Sequence, residues 1–161
     1  MNHYKSWSAL KKQLTGLLCD DLRNHISFFL TRYHKVHNSY GRAAILLDGR
    51  GLVCFSWIDM YHQEEDIHQI WERTGDWDYD NRELKEKWDA DAIYSDMDFL
   101  SAAVAYLEMP IKDALNSKNY IIRILAVLDR RVGKRTLRQI KSGEDYDDFP
   151  SWVKQFYELR G

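Results

Sequence analysis

The sequence predicts an α+β fold: a three-stranded antiparallel sheet near the N-terminus, packed with about six helices around a central apolar helix near 119–131. Three observations predict it. Two short apolar runs, "RAAILLD" and "LVCFSW", flank "DGRG" within residues 42–57. Asp-Gly reaches positive φ cheaply, so the runs read as a tight hairpin. The segment "HISFFLTRYH" (25–34) is rich in aromatic and β-branched residues and supplies a third strand. Residues 119–131, "NYIIRILAVLDRR", are apolar on nearly every side, as a buried helix is.

The other elements follow from periodicity. Residues 6–19 carry Trp7, Leu10, Leu14, Leu17 and Leu18 at helical spacing, with Ser6 as cap and Lys11 and Lys12 on the wet side. In the strand at 25–34, Ile26, Phe28 and Leu30 share one face, while Phe29, Thr31 and Tyr33 take the other. Both hairpin runs are apolar on both faces, so helices are expected to cover much of the sheet. Residues 58–73 read as a helix and 81–90 as a second, acidic one. Ser95 and Asp98 stand at capping-box spacing before a helix with Phe99, Leu100, Ala103, Val104 and Leu107 as its inner stripe. Pro110 stops that helix and starts another to 117. Gly133 is placed to end the central helix as a C′ residue, and a helix over 134–141 follows. "SGEDYDDFP" is a polar loop. A last short helix over 151–160 turns Trp152, Val153, Phe156 and Tyr157 inward.

The chain of 161 residues fits a single domain, 1–161. At this length about two thirds of the unfolded surface is buried, so neither disulfide nor metal is required. Charge is unevenly spread. Residues 1–58 hold 8 cations and 3 anions, residues 59–98 hold 4 and 14, and residues 99–161 hold 11 and 8. An acidic middle between basic flanks argues against a generally basic nucleic-acid binder. Cys19 and Cys54 lack zinc spacing and read as buried thiols of a cytoplasmic protein. The polar N-terminus is not a secretory signal, and no apolar run is long enough to span a membrane.

Catalytic and metal signatures fail on inspection. "DWDYDN" (76–81) resembles the front of a calcium loop, but Asn81 replaces the glycine and Lys87 the bidentate glutamate. His62 and His68 are six residues apart and share no helix face. "VGKRT" lacks the first glycine and the hydroxyl of a phosphate loop. No cofactor and no metal is expected, and the balance leans away from an enzyme. Two cationic groups remain. Arg32, His34, His37 and Arg42 surround one end of the sheet and could bind a carboxylate or phosphate, unless the arginines pair with the acidic middle. The stretch "LDRRVGKRTLRQIK" (128–141) carries Arg130, Arg131, Lys134, Arg135, Arg138 and Lys141. Lys134, Arg138 and Lys141 form one basic stripe, with Leu137 and Ile140 on the opposite side. The stripe can meet phosphates, an acidic protein, or its own Glu144, Asp145, Asp147 and Asp148. At Asp129 to Arg131, cations also suit the negative end of the preceding helix.

The blocks "RYHKVHNSYGRA" (32–43), "LDRRVGKRTL" (128–137) and "FYELR" (156–160) resemble the signature blocks of a small family of uncharacterised bacterial proteins, and "WSALKKQL" is similar to its first helix. The resemblance runs along nearly the whole chain, least in 59–93. It implies a cytoplasmic single domain of an accessory or defence-linked kind and draws attention to Arg32, His37, Arg42, Asp129, Arg130, Arg131, Lys134 and Arg135. It assigns none of them a role. The leading expectation is a non-enzymatic interaction protein that neutralises or regulates a protein partner. Its acidic aromatic surface would include Glu64, Glu65, Asp76, Asp78 and Asp80. The alternatives are a nucleic-acid binder using 130–141 and, more weakly, an enzyme on a phosphoryl or carboxylate substrate. The oligomeric state is open.

Overall fold

The structure, a computed structural model, describes residues 6–32, 41–56 and 82–161. Helix α1 (Trp7–Gly16) starts where the Ser6 hydroxyl accepts the Ala9 amide at 3.2 Å, and it buries Leu10 and Leu14. The sheet follows: β1 (Ile26–Arg32), β2 (Gly41–Leu47) and β3 (Arg50–Ser56), antiparallel in the order β1-β2-β3. Asp48 (φ 50°) and Gly49 (φ 84°) make the two-residue turn of the hairpin. Both residues need positive φ there, which is why Asp-Gly occupies it. His25 braces this turn, its ring Nδ1 lying 2.7 Å from the Asp48 carboxylate.

Register sorts the faces. Phe28 pairs with Ile45, and Ile45 with Val53; Leu30 pairs with Ala43, and Ala43 with Phe55. Phe28, Ala43, Ile45, Val53 and Phe55 are buried against the helices. The other face is less covered than expected. Its row Phe29, Ala44 and Cys54 leaves Phe29 43% exposed and Cys54 exposed. Cys54 is therefore not a buried thiol, whereas Cys19 is. The alternating pleat puts Cys54 opposite Val53 and Phe55, and those two take the core side.

Among the described residues six further α-helices follow: α2 (Arg82–Asp91), α3 (Asp96–Glu108), α4 (Ile111–Leu115), α5 (Tyr120–Val127), α6 (Lys134–Lys141) and α7 (Ser151–Leu159). The helix expected at 58–73 lies outside the described residues. The capping box of α3 is complete: the Ser95 hydroxyl accepts the Asp98 amide at 3.1 Å, and Asp98 accepts the Ser95 amide at 2.8 Å. Its buried face is rotated from the expected one. Phe99, Ala102, Ala103 and Tyr106 are buried, while Leu100, Val104 and Leu107 are only half-buried. Tyr106 goes inward because its hydroxyl has a buried acceptor, Asp129.

Helix α5 is central, packed against α3, α4 and α7, while α3 packs on β2 and β3 and α1 on β1. The Asn119 side chain caps α5 by accepting the Ile121 and Ile122 amides. This helix ends at Val127, short of the expected 131. Gly133 has φ −81° and is the N-cap of α6, not a left-handed C′ residue of α5. The acidic segment after α6 is a 3-10 helix, Glu144–Asp148, where a loop was expected. Phe55 stacks on Phe99 at 5.9 Å and meets Trp152 edge-on at 6.3 Å, linking the sheet to α3 and α7. No helix among the described residues is long and apolar enough to cross a membrane.

Gly41 opens β2 beneath α3. A Cβ there would overlap the buried Asp96 carboxylate and lie 3.0 Å from the Thr31 carbonyl. Neither backbone nor buried carboxylate yields readily, so Gly41→Ala is expected to cost about 1–3 kcal/mol. Chemical denaturation measures it. A variant as stable as the parent would show that Asp96 can move aside.

Candidate anion-binding groove

The functional geometry begins where α5 ends. Leu18, just past α1, forms an antiparallel bridge with Asp129. The Cys19 amide donates to the Leu128 carbonyl at 2.9 Å, and the Arg130 amide donates to the Leu17 carbonyl at 2.8 Å. These two bonds tie together the exits of two helices more than a hundred residues apart in sequence.

The bridge separates three adjacent charged residues. Asp129 points inward and is buried. It accepts the Tyr106 hydroxyl in a short hydrogen bond, the Arg131 amide at 2.8 Å, and the Arg131 guanidinium at 3.0 Å and 2.7 Å. Burial alone would raise its carboxyl pKa. The hydrogen bonds from Arg131 and Tyr106 outweigh burial and hold it below the ordinary value. Burial, reinforced by the Asp129 carboxylate, pushes the Tyr106 hydroxyl well above its usual range. Arg131 is therefore a structural ion-pair partner, and what it neutralises is a buried carboxylate.

A second arginine closes the turn from below. Arg160, 8% exposed, donates to the carbonyls of Val127 at 2.6 Å, Asp129 at 3.1 Å and Val132 at 2.6 Å. A guanidinium fork thus satisfies the Val127 carbonyl, which the end of α5 leaves without a helical partner, and also reaches the turn carbonyls of Asp129 and Val132. The blocks "LDRRVGKRTL" and "FYELR" meet here, and their meeting is architectural.

Arg130 is the outward member. It lines an open groove of about 580 Å³ with Ser8, Lys11, Lys12, Thr15 and Arg23. Among the described residues four cations and two hydroxyl residues line it, and no carboxylate does. Arg23 shares its charge with exposed Asp20 at 3.1 Å. Lys11, Lys12 and Arg130 form no ion pair among the described residues.

The stripe of α6 begins four residues after Arg130. Lys134 reaches Asp21, in the turn after α1, at 3.4 Å, and Lys141 reaches Glu158 at 3.2 Å. Arg135 and Arg138 are exposed and form no ion pair among the described residues. Buried Leu137 anchors the opposite side of the helix. The carboxylates of Glu144, Asp145, Asp147 and Asp148 form no ion pair with the stripe, although Lys154 donates to the Asp147 main-chain carbonyl at 3.0 Å. The pairing of the stripe with its own acidic segment is thus not realised.

The other sequence candidates are not assembled by the described residues. Arg32 ends β1 opposite Gly41, and Arg42 is exposed on β2, paired with Thr31 and Ser56. His34, His37 and the acidic residues Glu64, Glu65, Asp76, Asp78 and Asp80 lie outside the described residues. Among the described residues no three His, Cys, Asp or Glu side chains are placed to hold a metal. Sequence reasoning missed Lys11, Lys12 and Arg23 as site residues. The only signal was that the exposed side of α1 is cationic with no acidic residue within the helix.

Residues 6–161 match the model of the SF0329 protein family, and the chain belongs to that family. No curated protein matches it, and no solved structure does.

Proposed function

We propose that this is a non-enzymatic cytoplasmic protein that binds the phosphate backbone of a nucleic acid in the groove between α1 and Arg130. The observation that carries the reading is the groove lining: Lys11, Lys12, Arg23 and Arg130 with the hydroxyl residues Ser8 and Thr15. Lysine, arginine and small hydroxyl side chains are the usual phosphate contacts. A docking site for an acidic protein would be expected to place an apolar or aromatic centre inside its charged rim, and among the described residues no aromatic side chain lines this groove. Exposed Arg135 and Arg138 extend the cationic surface along α6. Gln139 is the one amide side chain on that helix, so base reading is expected to be slight. The acidic residues expected to meet a protein partner lie outside the described residues.

Electrophoretic shift or fluorescence anisotropy with single-stranded DNA, duplex DNA and RNA tests the reading. Four phosphate contacts give a slope near −3.6 in log K against log salt, so affinity is expected to fall about a hundredfold between roughly 50 and 200 mM salt. Lys12→Glu with Arg130→Glu is expected to weaken binding and to flatten that slope by about two. Lys112→Glu, outside the groove, is the control. Absence of a salt-dependent shift with all three nucleic acids would overturn the proposal.

A further inference from the structure

A second cavity, of about 510 Å³, opens between α2, α3 and the start of α5. That volume is in the range of small-molecule sites. Its walls are Trp88, Tyr94 and Tyr120, with Ile93 and Ile121 adding apolar surface. The carboxylate of Asp89 lies among these rings, half-buried. It is held in place from two directions. The Tyr94 hydroxyl donates to its Oδ1 at 2.5 Å, and the Trp152 indole donates to its main-chain carbonyl at 2.7 Å. Trp152 in turn meets Tyr94 at 5.9 Å and Tyr120 at 6.2 Å, both edge-on.

Asp89 forms no ion pair among the described residues. The other carboxylate of the lining, Asp98, is exposed and already caps α3. Lys85 and Lys118 are exposed contributors to the lining. The inner part of the cavity therefore combines one fixed negative group with three aromatic side chains, a setting that attracts an ammonium.

We propose that this cavity binds a small organic amine with a flat apolar body, its ammonium on Asp89 and its body among Trp88, Tyr94 and Tyr120. The free Oδ2 of Asp89 accepts from the ammonium while Oδ1 keeps its bond to Tyr94. Burial pushes the Asp89 carboxyl above its ordinary value, opposed by the Tyr94 hydrogen bond and by Lys85. A bound ammonium would relieve that cost. Two sources share this chemistry, an aromatic amino acid and its decarboxylated amine. Lys118 distinguishes them, because only the amino acid offers it a carboxylate.

Calorimetric titration of the full chain with tryptamine, tryptophan and uncharged tryptophol tests the site. Tryptamine or tryptophan is expected to bind saturably, and tryptophol at least about tenfold more weakly. Asp89→Asn, which keeps an acceptor for Tyr94, is expected to weaken amine binding about tenfold or more. Tyr94→Phe, which keeps the ring and releases the carboxylate, is expected to weaken it less. If tryptophan binds more tightly than tryptamine and Lys118→Ala removes the difference, the ligand is an amino acid; tighter tryptamine binding indicates the free amine. Equal binding of tryptophol and tryptamine by the parent protein would overturn the proposal, as would no saturable binding of either amine in the millimolar range. The parent comparison stands whether or not a variant folds.

Discussion

Replacing Arg160 by methionine is expected to destabilise the fold by about 3–5 kcal/mol, a large share of the stability of a domain this size. Methionine keeps much of the apolar stem, so the loss isolates the guanidinium. That group donates to three carbonyls, of Val127, Asp129 and Val132, around the turn that ends α5. Without it, the Val127 and Val132 carbonyls lose the donor that the guanidinium supplies, the Asp129 carbonyl keeps only the Val132 amide, and the negative end of α5 loses a cation. Arg160→Lys is expected to recover only part of the loss. A single ammonium on a flexible stem does not reproduce a planar fork reaching three acceptors. Urea denaturation of the three proteins measures both effects. A methionine variant within about 1 kcal/mol of the parent would mean that water or another donor replaces the fork.

Asp129→Asn is expected to cost about 3 kcal/mol near neutral pH, because it breaks a buried charge pair while leaving the partners in place. The expectation is toward the lower end of such losses because Arg131 is 44% exposed and can be hydrated. An asparagine amide must also turn one NH₂ toward donors, either the Arg131 guanidinium or the Tyr106 hydroxyl. The pH dependence has a definite sign. Since the folded Asp129 carboxyl is held below its ordinary value, its contribution is fully present above the ordinary carboxylate range, around pH 4 and up. It is lost as pH falls through the depressed folded value. The parent is therefore expected to lose stability in acid more steeply than Asp129→Asn, so the two curves converge at low pH. Parallel curves would show that Asp129 does not carry the charge assigned to it.

Local chemistry was legible wherever one short stretch decides the outcome. Asp48 and Gly49 announced the hairpin because few residue pairs take two positive φ values in succession. Ser6, Ser95 and Asp98 announced helix starts because a side chain there meets an amide two or three residues away. The face of β1 was legible because a strand alternates strictly. In α3 the reading slipped. Hydrophobicity alone favours Leu100, Val104 and Leu107, yet Tyr106 is buried because its hydroxyl meets Asp129, 23 residues further along the chain. Gly133 was misread for a related reason, since a glycine between two helices serves equally as the end of one or the start of the next.

By itself, the sequence determined the class of fold, the hairpin and its turn, the apolar helix at the centre and the one-sided charge of α6. All of these depend on periodicity or on contacts within a few residues. Only the tertiary structure decided what the cations do. The backbone bridge between Leu18 and Asp129 turns Arg130 out beside Lys11 and Lys12, buries Asp129 against Tyr106, and commits Arg131 to that carboxylate. Three consecutive charged residues thereby acquire separate fates. The physical reason is that a charge's role depends on which polar groups, which charges and how much water surround it in space. The Asp129–Arg131 pair is local, but the cations Lys11 and Lys12 come from α1 and the Tyr106 hydroxyl from α3, far from 129–131 in the chain.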